Sequence, residues 1–283
     1  MCTVWSKNLS TSKAFYYDSA NRHHPFIEEI LAVIEYRDLL ILFISRSIKM
    51  RYKRSSLGIL WTLMNPMATM IVFTLVFSRI WRFDVPSYPV YVLSGLIVWN
   101  FFSYSTSTGM SDMVFQGDLL KRIYMPRSIF VLAATGTGMI NFVISLVPLV
   151  VIGLVLGVQL HWSMLFMPIS AIIIFLFLMG LGLILTAGAV FFTDLIPMFT
   201  VIQQIWFYAT PLFYPITIIP DRYLWLFKLN PMYSMVQLIR DPVLQGSLPV
   251  MNDFLVSVGW ALGVLIFGWY IFTSKSNEYA YRA

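Results

Sequence analysis

Long stretches without charged side chains divide the sequence into segments that can cross a membrane. No Asp, Glu, Lys or Arg occurs at 55–78, 85–111 or 128–193. A helix needs about 20 apolar residues to cross the hydrocarbon core, so the third stretch is too long for one helix. The turn-like sequence at 157–162 divides it into two. Together with apolar runs nearer the C-terminus, the pattern predicts six transmembrane helices, at about 57–78, 86–111, 129–156, 164–191, 197–213 and 254–273.

The segment 214–252, between the fifth and sixth predicted helices, is apolar but contains five prolines. Proline interrupts a helix, so a single crossing is excluded. Non-helical backbone at membrane depth is tolerated only where protein or a water-filled cavity covers it. We therefore expect two short re-entrant helices here.

Composition supports lipid as the solvent for much of this chain. Of the 283 residues, 59% are hydrophobic and only 11% are charged, against about 25% charged in a typical soluble domain. The fold class predicted is an all-α polytopic membrane protein. The first 25 residues lack the apolar core of a secretory signal, so insertion is expected through the internal helices, and 1–35 is read as a cytoplasmic tail. The lone Cys2 excludes a disulfide framework within the chain.

The distribution of basic residues sets the orientation. If the N-terminus is cytoplasmic, 14 Lys and Arg residues lie inside and 5 outside. This asymmetry follows the positive-inside rule and places both termini in the cytoplasm. The net charge of +6 comes largely from residues beside the first span, so we expect a membrane flank and no nucleic-acid partner.

A basic stretch at 36–54 precedes the first predicted span and is expected to form an amphipathic helix in the membrane interface. It is either a simple topology anchor or a gate that meets an anionic lipid-linked substrate at the cytoplasmic rim. The cations of this predicted gate helix are Arg46, Lys49, Arg51, Lys53 and Arg54.

The connection 114–126 between the second and third spans is longer than a bare turn requires. Asp118 can cap a short helix, and Pro126 would end it. Leu120 and Tyr124 share one face, flanked by Lys121 and Arg122, which suits docking into a groove of a cytoplasmic partner. An ordinary amphipathic connector fits this segment equally well.

Several classes of catalytic site are missing from the sequence. It has no Gly-x-x-x-x-Gly-Lys-Ser/Thr motif for ATP phosphates and no histidine pair with zinc spacing. No ionisable side chain falls at the centre of a predicted span, which argues against an ion-coupled pump. We expect a transport subunit that is not an enzyme and binds no cofactor itself.

Six short stretches, in this order, resemble the membrane subunit of ABC-2 type polysaccharide exporters, the group that moves O-antigen, capsule and teichoic acid chains. They are Tyr36-Arg-Asp-Leu-Leu, the run Arg46 to Pro66, Leu120-Lys-Arg-Ile-Tyr-Met-Pro-Arg127, Phe191-Phe-Thr-Asp194, Thr210-Pro-Leu-Phe-Tyr-Pro215 and Leu229-Asn-Pro-Met232. Thr193 stands where such proteins usually carry an arginine, so no salt bridge is carried over.

The resemblance implies a homodimer in the bacterial cytoplasmic membrane with two copies of a separate ATPase, which holds ATP and Mg. It implies that 114–126 is the coupling helix, that 37–54 is the gate helix, and that spans one and five line the glycan path. One stripe of span five combines aromatic and amide side chains, which suits sliding sugars. The predicted path residues are Phe73, Phe77, Phe199, Gln203, Trp206 and Thr210.

Other interpretations stay open at this point. The stripe on span five could be ordinary packing at the dimer seam, with Gln203 bonded across the interface. The same topology serves ABC-2 exporters of drugs or lipids. A membrane-embedded glycan transferase is a third possibility, but it would need converging carboxylates or histidines at one membrane face.

Overall fold

The computed structural model describes residues 25–53, 58, 60–80, 87–116, 125–275 and 279. Over these residues the chain is helical and contains no β-strand. The α-helices are α1 (Pro25–Glu35), α2 (Arg37–Tyr52), α3 (Leu60–Phe73), α4 (Tyr88–Phe115), α5 (Ile129–Val155), α6 (Met167–Phe191), α7 (Leu195–Ala209), α8 (Leu224–Leu229), α9 (Pro231–Arg240) and α10 (Met251–Ser274). Wider π-helical turns continue α3 over Thr74–Ile80 and α9 over Asp241–Gln245.

Three long helices, α4, α5 and α6, pack against one another at the centre. Aromatic side chains fill the space between them; the Phe101 and Phe142 rings, for example, lie 5.3 Å apart. α10 packs along α6, α3 and α7 lie against α4, and α9 contacts α4, α6 and α10. The helices of the site are therefore held on a scaffold formed mainly by α4 and α6.

The contact between α6 and α10 brings two backbones together. A Cβ atom on Gly180 would lie 2.4 Å from the Cα of Leu265, and one on Gly268 would lie 2.2 Å from the carbonyl oxygen of Gly180. Such a close approach of two apolar helices requires glycine at positions 180 and 268, where a side chain would meet the backbone of the other helix.

Four helical segments are long and apolar enough to cross a membrane: Leu60–Phe77, Ile129–Val155, Trp162–Phe191 and Met251–Ser274. α4 has 28 residues, but its hydroxyl side chains and Asn100 make it more polar. α7 has 15 residues and so measures about 22 Å, shorter than the hydrocarbon core of about 30 Å. The fold is thus all-helical with four candidate spans, and the full six-span topology stays a prediction.

The N-terminal region contains a helix where the sequence predicted only a tail over 1–35. α1 packs against α10 and α2. The carboxylate of Glu29 accepts hydrogen bonds from the Ser128 amide at 3.0 Å and from its hydroxyl at 2.8 Å, directly before α5. α1 therefore attaches to the end of the bundle at which α5 begins. Residues 1–24 are outside the described part of the chain.

Candidate functional site

The predicted path stripe on α7 is a packing face within the protomer. The side chains of Phe199, Gln203 and Thr210 are buried, and Trp206 is half-buried. They face α4 and the chain that follows α7. The opposite face of α7 is exposed, with Met198, Val201, Ile202, Ile205 and Tyr208 at the surface.

The amide of Gln203 is bonded to α4 of the same chain. Its Nε2 donates to the Thr106 hydroxyl at 2.8 Å, and its Oε1 accepts from the Ser107 hydroxyl at 3.2 Å and the Ser103 hydroxyl at 3.4 Å. A buried amide is stable when both its donor and its acceptor are paired. Gln203 therefore joins two helices of one protomer, and not two protomers.

Asn230 connects the end of α7 to the start of α9. Its Oδ1 accepts from the Trp206 indole at 2.8 Å and from the Met232 amide at 3.0 Å, which caps α9. Its Nδ2 donates to the Thr210 hydroxyl at 2.9 Å. One side chain thus holds Trp206 and Thr210, two of the predicted path residues, in place.

Replacing Asn230 with alanine is expected to lower thermal stability and to loosen the end of α7. Loss of an N-cap costs about 1 kcal/mol, and the Trp206 and Thr210 partners lose their bonds as well. Asn230→Asp keeps both acceptor contacts, so it should lose less thermal stability than Asn230→Ala. Thermal unfolding of the purified variants measures this order, and equal stability of Asn230→Ala and the wild type would contradict it.

Arg240, at the end of α9, is a buried cation and one of the five basic residues that the charge distribution predicted on the outer side. Its guanidinium donates to the carbonyl oxygens of Tyr91, Pro211 and Leu212 at 3.2–3.3 Å. It also lies 3.6 Å from the centroid of the Tyr91 ring. Arg240 therefore clamps the segment after α7 onto α4. No local sequence pattern marks its burial, because its carbonyl partners lie 28 to 149 residues away along the chain.

Phe73 and Phe77, the predicted path residues of the first span, pack within the same region. Their rings lie 5.0 and 5.2 Å from the ring of Phe213, and Phe73 also contacts Phe207 of α7. Both side chains are half-buried. The structure thus brings predicted residues of α3 close to the end of α7, as an aromatic cluster inside one protomer.

α2, the predicted gate helix, exposes Arg46, Lys49, Arg51 and Lys53, and Arg54 is outside the described residues. Its inner face packs on the bundle, where the rings of Phe43 and Phe130 lie 5.6 Å apart. Ile41, Leu42 and Met50 are exposed as well. α2 is therefore apolar on both sides, which differs from the simple amphipathic pattern expected, and suits a helix held between the bundle and lipid.

The C-terminal end of α4 carries a carboxylate near this basic helix. Burial raises the pKa of Asp112, and the hydrogen bond from Gln116 at 2.6 Å and the positive charge of Arg46 act against that rise. The end of α4 and the basic face of α2 thus influence each other electrostatically.

Comparison with known proteins gives one consistent family. The family model described as ABC-2 type transporter matches residues 38–244. This chain belongs to the ABC-2 type transporter family. It is 32% identical over 257 residues to the O-antigen export system permease protein RfbA of Myxococcus xanthus, covering 90% of this chain and 98% of the relative.

Further relatives carry related names. Over 230 residues, covering 81% of this chain and 88% of the relative, it is 28% identical to an O-antigen export system permease protein RfbA of Klebsiella pneumoniae. Identity to the polysialic acid transport protein KpsM of Escherichia coli is 24% over 214 residues, 71% of this chain and 79% of the relative.

The ABC-2 match extends from α2 to the turn after α9, so it includes Gln203, Asn230 and Arg240. The predicted coupling residues Asp118, Leu120, Lys121, Arg122 and Tyr124 are also within the match, but outside the described residues. Among the residues that are described, no group of three or more His, Cys, Asp or Glu side chains could hold a metal ion.

Proposed function

We propose that this chain is the transmembrane subunit of an ATP-driven exporter that moves a lipid-linked polysaccharide across the bacterial cytoplasmic membrane. The observation that carries the proposal is the match to the Myxococcus xanthus permease along nearly the full length of both chains. Two further relatives, one named for O-antigen export and one for polysialic acid transport, favour a glycan over a drug or lipid.

The energy source is proposed to be a separate ATPase subunit, present in two copies and holding ATP and Mg. The sequence supports this because it lacks a phosphate-binding loop of its own. We assign docking of that subunit to 114–126, where Asp118, Leu120, Lys121, Arg122 and Tyr124 would form a short capped helix.

A homodimer is proposed because α3 and α7 leave large apolar surfaces uncovered. Only 11% of the candidate span Leu60–Phe77 is buried within the protomer. α3 and α7 meet through Phe73 and Phe207, so their exposed faces adjoin. A second copy placed against this surface would cover both helices.

The glycan path is proposed to run along the exposed face of α7 between the two copies. Gln204 and Tyr208 lie on that face, one turn apart. Gln203, Trp206 and Thr210 support the same helix from behind, through α4 and Asn230. The path thus keeps the aromatic and amide chemistry expected of span five but uses the other side of the helix.

The predicted orientation completes the proposal, with six spans, both termini cytoplasmic, and 214–252 on the outer side. The short helices α8 and α9 occupy that last segment, consistent with two re-entrant helices. The 14-to-5 split of basic residues supports this arrangement.

Cells of the source bacterium that lack this chain are expected to lose a surface glycan and to accumulate it on its lipid carrier inside. The wild-type chain should restore export, whereas a chain with both Leu120→Asp and Tyr124→Asp should not, because charge placed in an apolar docking groove is costly. Surface labelling measures the exported glycan. Extraction of the lipid-linked glycan measures the amount that stays inside the cell.

The control is Ser247→Asp, which adds one charge at an exposed position of the proposed outer segment and should leave export intact. Membrane insertion of every variant is checked by fractionation. Normal export by the double variant would exclude 114–126 as the coupling helix. An unchanged surface glycan in cells without the chain would refute glycan export itself.

A further inference from the structure

A groove of about 400 Å³ lies between α3, α4 and α5, with the last turn of α2 at its edge. Asn65 from α3, Asn100 from α4 and Asn141 from α5 all line it. Amide side chains are costly in apolar helices and are kept where they have partners or a function. Three of them, from three different helices, converge on this one groove.

Asn141 offers a donor with no partner. Its Nδ2 is buried and makes no hydrogen bond with the described residues, although the side chain lines the groove. A buried donor left unpaired costs free energy. Asn100 and Asn65 are exposed, and both line the groove. The groove therefore presents amides to a hydrogen-bonding ligand.

The remaining wall is aromatic. Trp61 of α3, Phe101 of α4 and Phe142 of α5 line the same space. Flat apolar surface beside amides suits a sugar ring, which has CH groups on its faces and hydroxyls at its rim. The volume is at the lower end of the range of small-molecule sites, about 300–1,000 Å³, so the groove holds a single unit and not a polymer.

A cation stands at the edge of the groove. Arg51 is exposed, and its guanidinium lies 4.5 Å from the centroid of the Tyr104 ring. Among the described residues no carboxylate forms a salt bridge with Arg51; the salt bridge there joins Arg37 to Asp38. A guanidinium held over a ring and not neutralised by a carboxylate is suited to a phosphate.

We propose that this groove binds the phosphate-linked first sugar of a glycolipid, with the phosphate at Arg51 and the sugar among Asn65, Asn100 and Asn141. The assignment rests on the proposed export of a lipid-linked glycan and names where that substrate's head is held. An anionic phospholipid with a hydroxylated head group shares part of this chemistry, and the test separates the two.

The full-length chain in phosphatidylcholine nanodiscs is titrated with farnesyl-diphospho-N-acetylglucosamine, with farnesyl diphosphate and with phosphatidylglycerol. We expect the sugar-bearing lipid to bind tightest. Arg51→Gln and Asn100→Leu should each weaken its binding about tenfold, the effect of losing one good hydrogen bond to a charged or buried group. Arg222→Gln, which removes an exposed cation that does not line the groove, should leave binding unchanged.

Asn141→Leu separates binding from folding. Because its Nδ2 is unpartnered, the variant should keep the thermal stability of the wild type while losing affinity for the sugar-bearing lipid. A purely structural amide would instead lower stability and leave affinity intact.

The outcomes distinguish this inference from the export proposal. If the wild type binds the glycolipid and all groove variants bind it equally, the groove assignment is wrong and glycolipid recognition by the exporter stands. Equal binding of phosphatidylglycerol, or of farnesyl diphosphate without the sugar, would also overturn the assignment. No binding of the sugar-bearing lipid to the wild type, together with normal surface glycan in cells lacking the chain, would refute both the groove assignment and the export proposal.

Discussion

Gly180→Leu is expected to abolish the folded protein, because it separates α6 from α10. The first side-chain carbon would lie 2.4 Å from the Cα and 2.5 Å from the amide nitrogen of Leu265. These are backbone atoms, so no rotamer change relieves the contact. Inserting even one methyl into a well-packed contact typically costs about 1–3 kcal/mol, and here two helices must move apart. Gly180→Ala should therefore already lower the midpoint of thermal unfolding clearly.

Matched controls are available on α10. Gly259 and Gly263 have nothing within 4 Å of an added Cβ, so Gly259→Ala and Gly263→Ala should fold as the wild type does. Size-exclusion chromatography after heating in detergent compares all four variants. A Gly180→Leu protein that stays monodisperse with unchanged stability would show that the two backbones are not in contact.

Replacing Arg240 with methionine is expected to release the segment after α7 and to stop transport. The carbonyl oxygens of Pro211 and Leu212 would lose the guanidinium as a donor, at roughly 1–3 kcal/mol for each buried carbonyl left unpaired. The stacking on Tyr91 is lost as well. Since this segment joins α7 to α8 and α9, the proposed path would lose its geometry together with its stability.

Arg222→Met is the matched control, because Arg222 is an exposed arginine of the same segment. It should leave both thermal stability and export unchanged. Arg240→Lys keeps the charge but not the forked geometry of the guanidinium. Its thermal stability and export should therefore lie between those of the wild type and those of Arg240→Met. Wild-type stability of Arg240→Met would mean that the clamp contributes nothing.

Asn230 and Arg240 both hold the end of α7 in place, but only Asn230 was marked by a local pattern in the sequence. Asn230 lies in the motif Leu229-Asn-Pro-Met232, and Asn before Pro is a typical helix start. Arg240 follows an apolar run in which the surrounding charges give no hint of burial. Its partners are carbonyl oxygens more than 25 residues away, which no local pattern can identify.

The face of α7 shows the same limit. The spacing of Phe199, Gln203, Trp206 and Thr210 predicts one stripe, and the structure turns that stripe toward α4 and the chain that follows α7. The opposite stripe is equally compatible with a membrane helix. Hydropathy does not distinguish a polar residue that lines a path from one that bonds to a neighbouring helix, because both avoid lipid.

By itself, the sequence indicated the class of this protein, an all-helical membrane protein of the ABC-2 type. It predicted long apolar helices at about 57–78, 129–156, 164–191 and 254–273, and the structure has such helices at 60–77, 129–155, 162–191 and 251–274. Helix formation in lipid is a local requirement, since each segment must satisfy its own backbone, and charge-free length reveals it. The tertiary structure alone decided that α1 attaches at Ser128, that Gly180 meets Leu265, and that three asparagines share one groove. Those relations join residues far apart in the chain, and they depend on which helices pack together, which local periodicity does not encode.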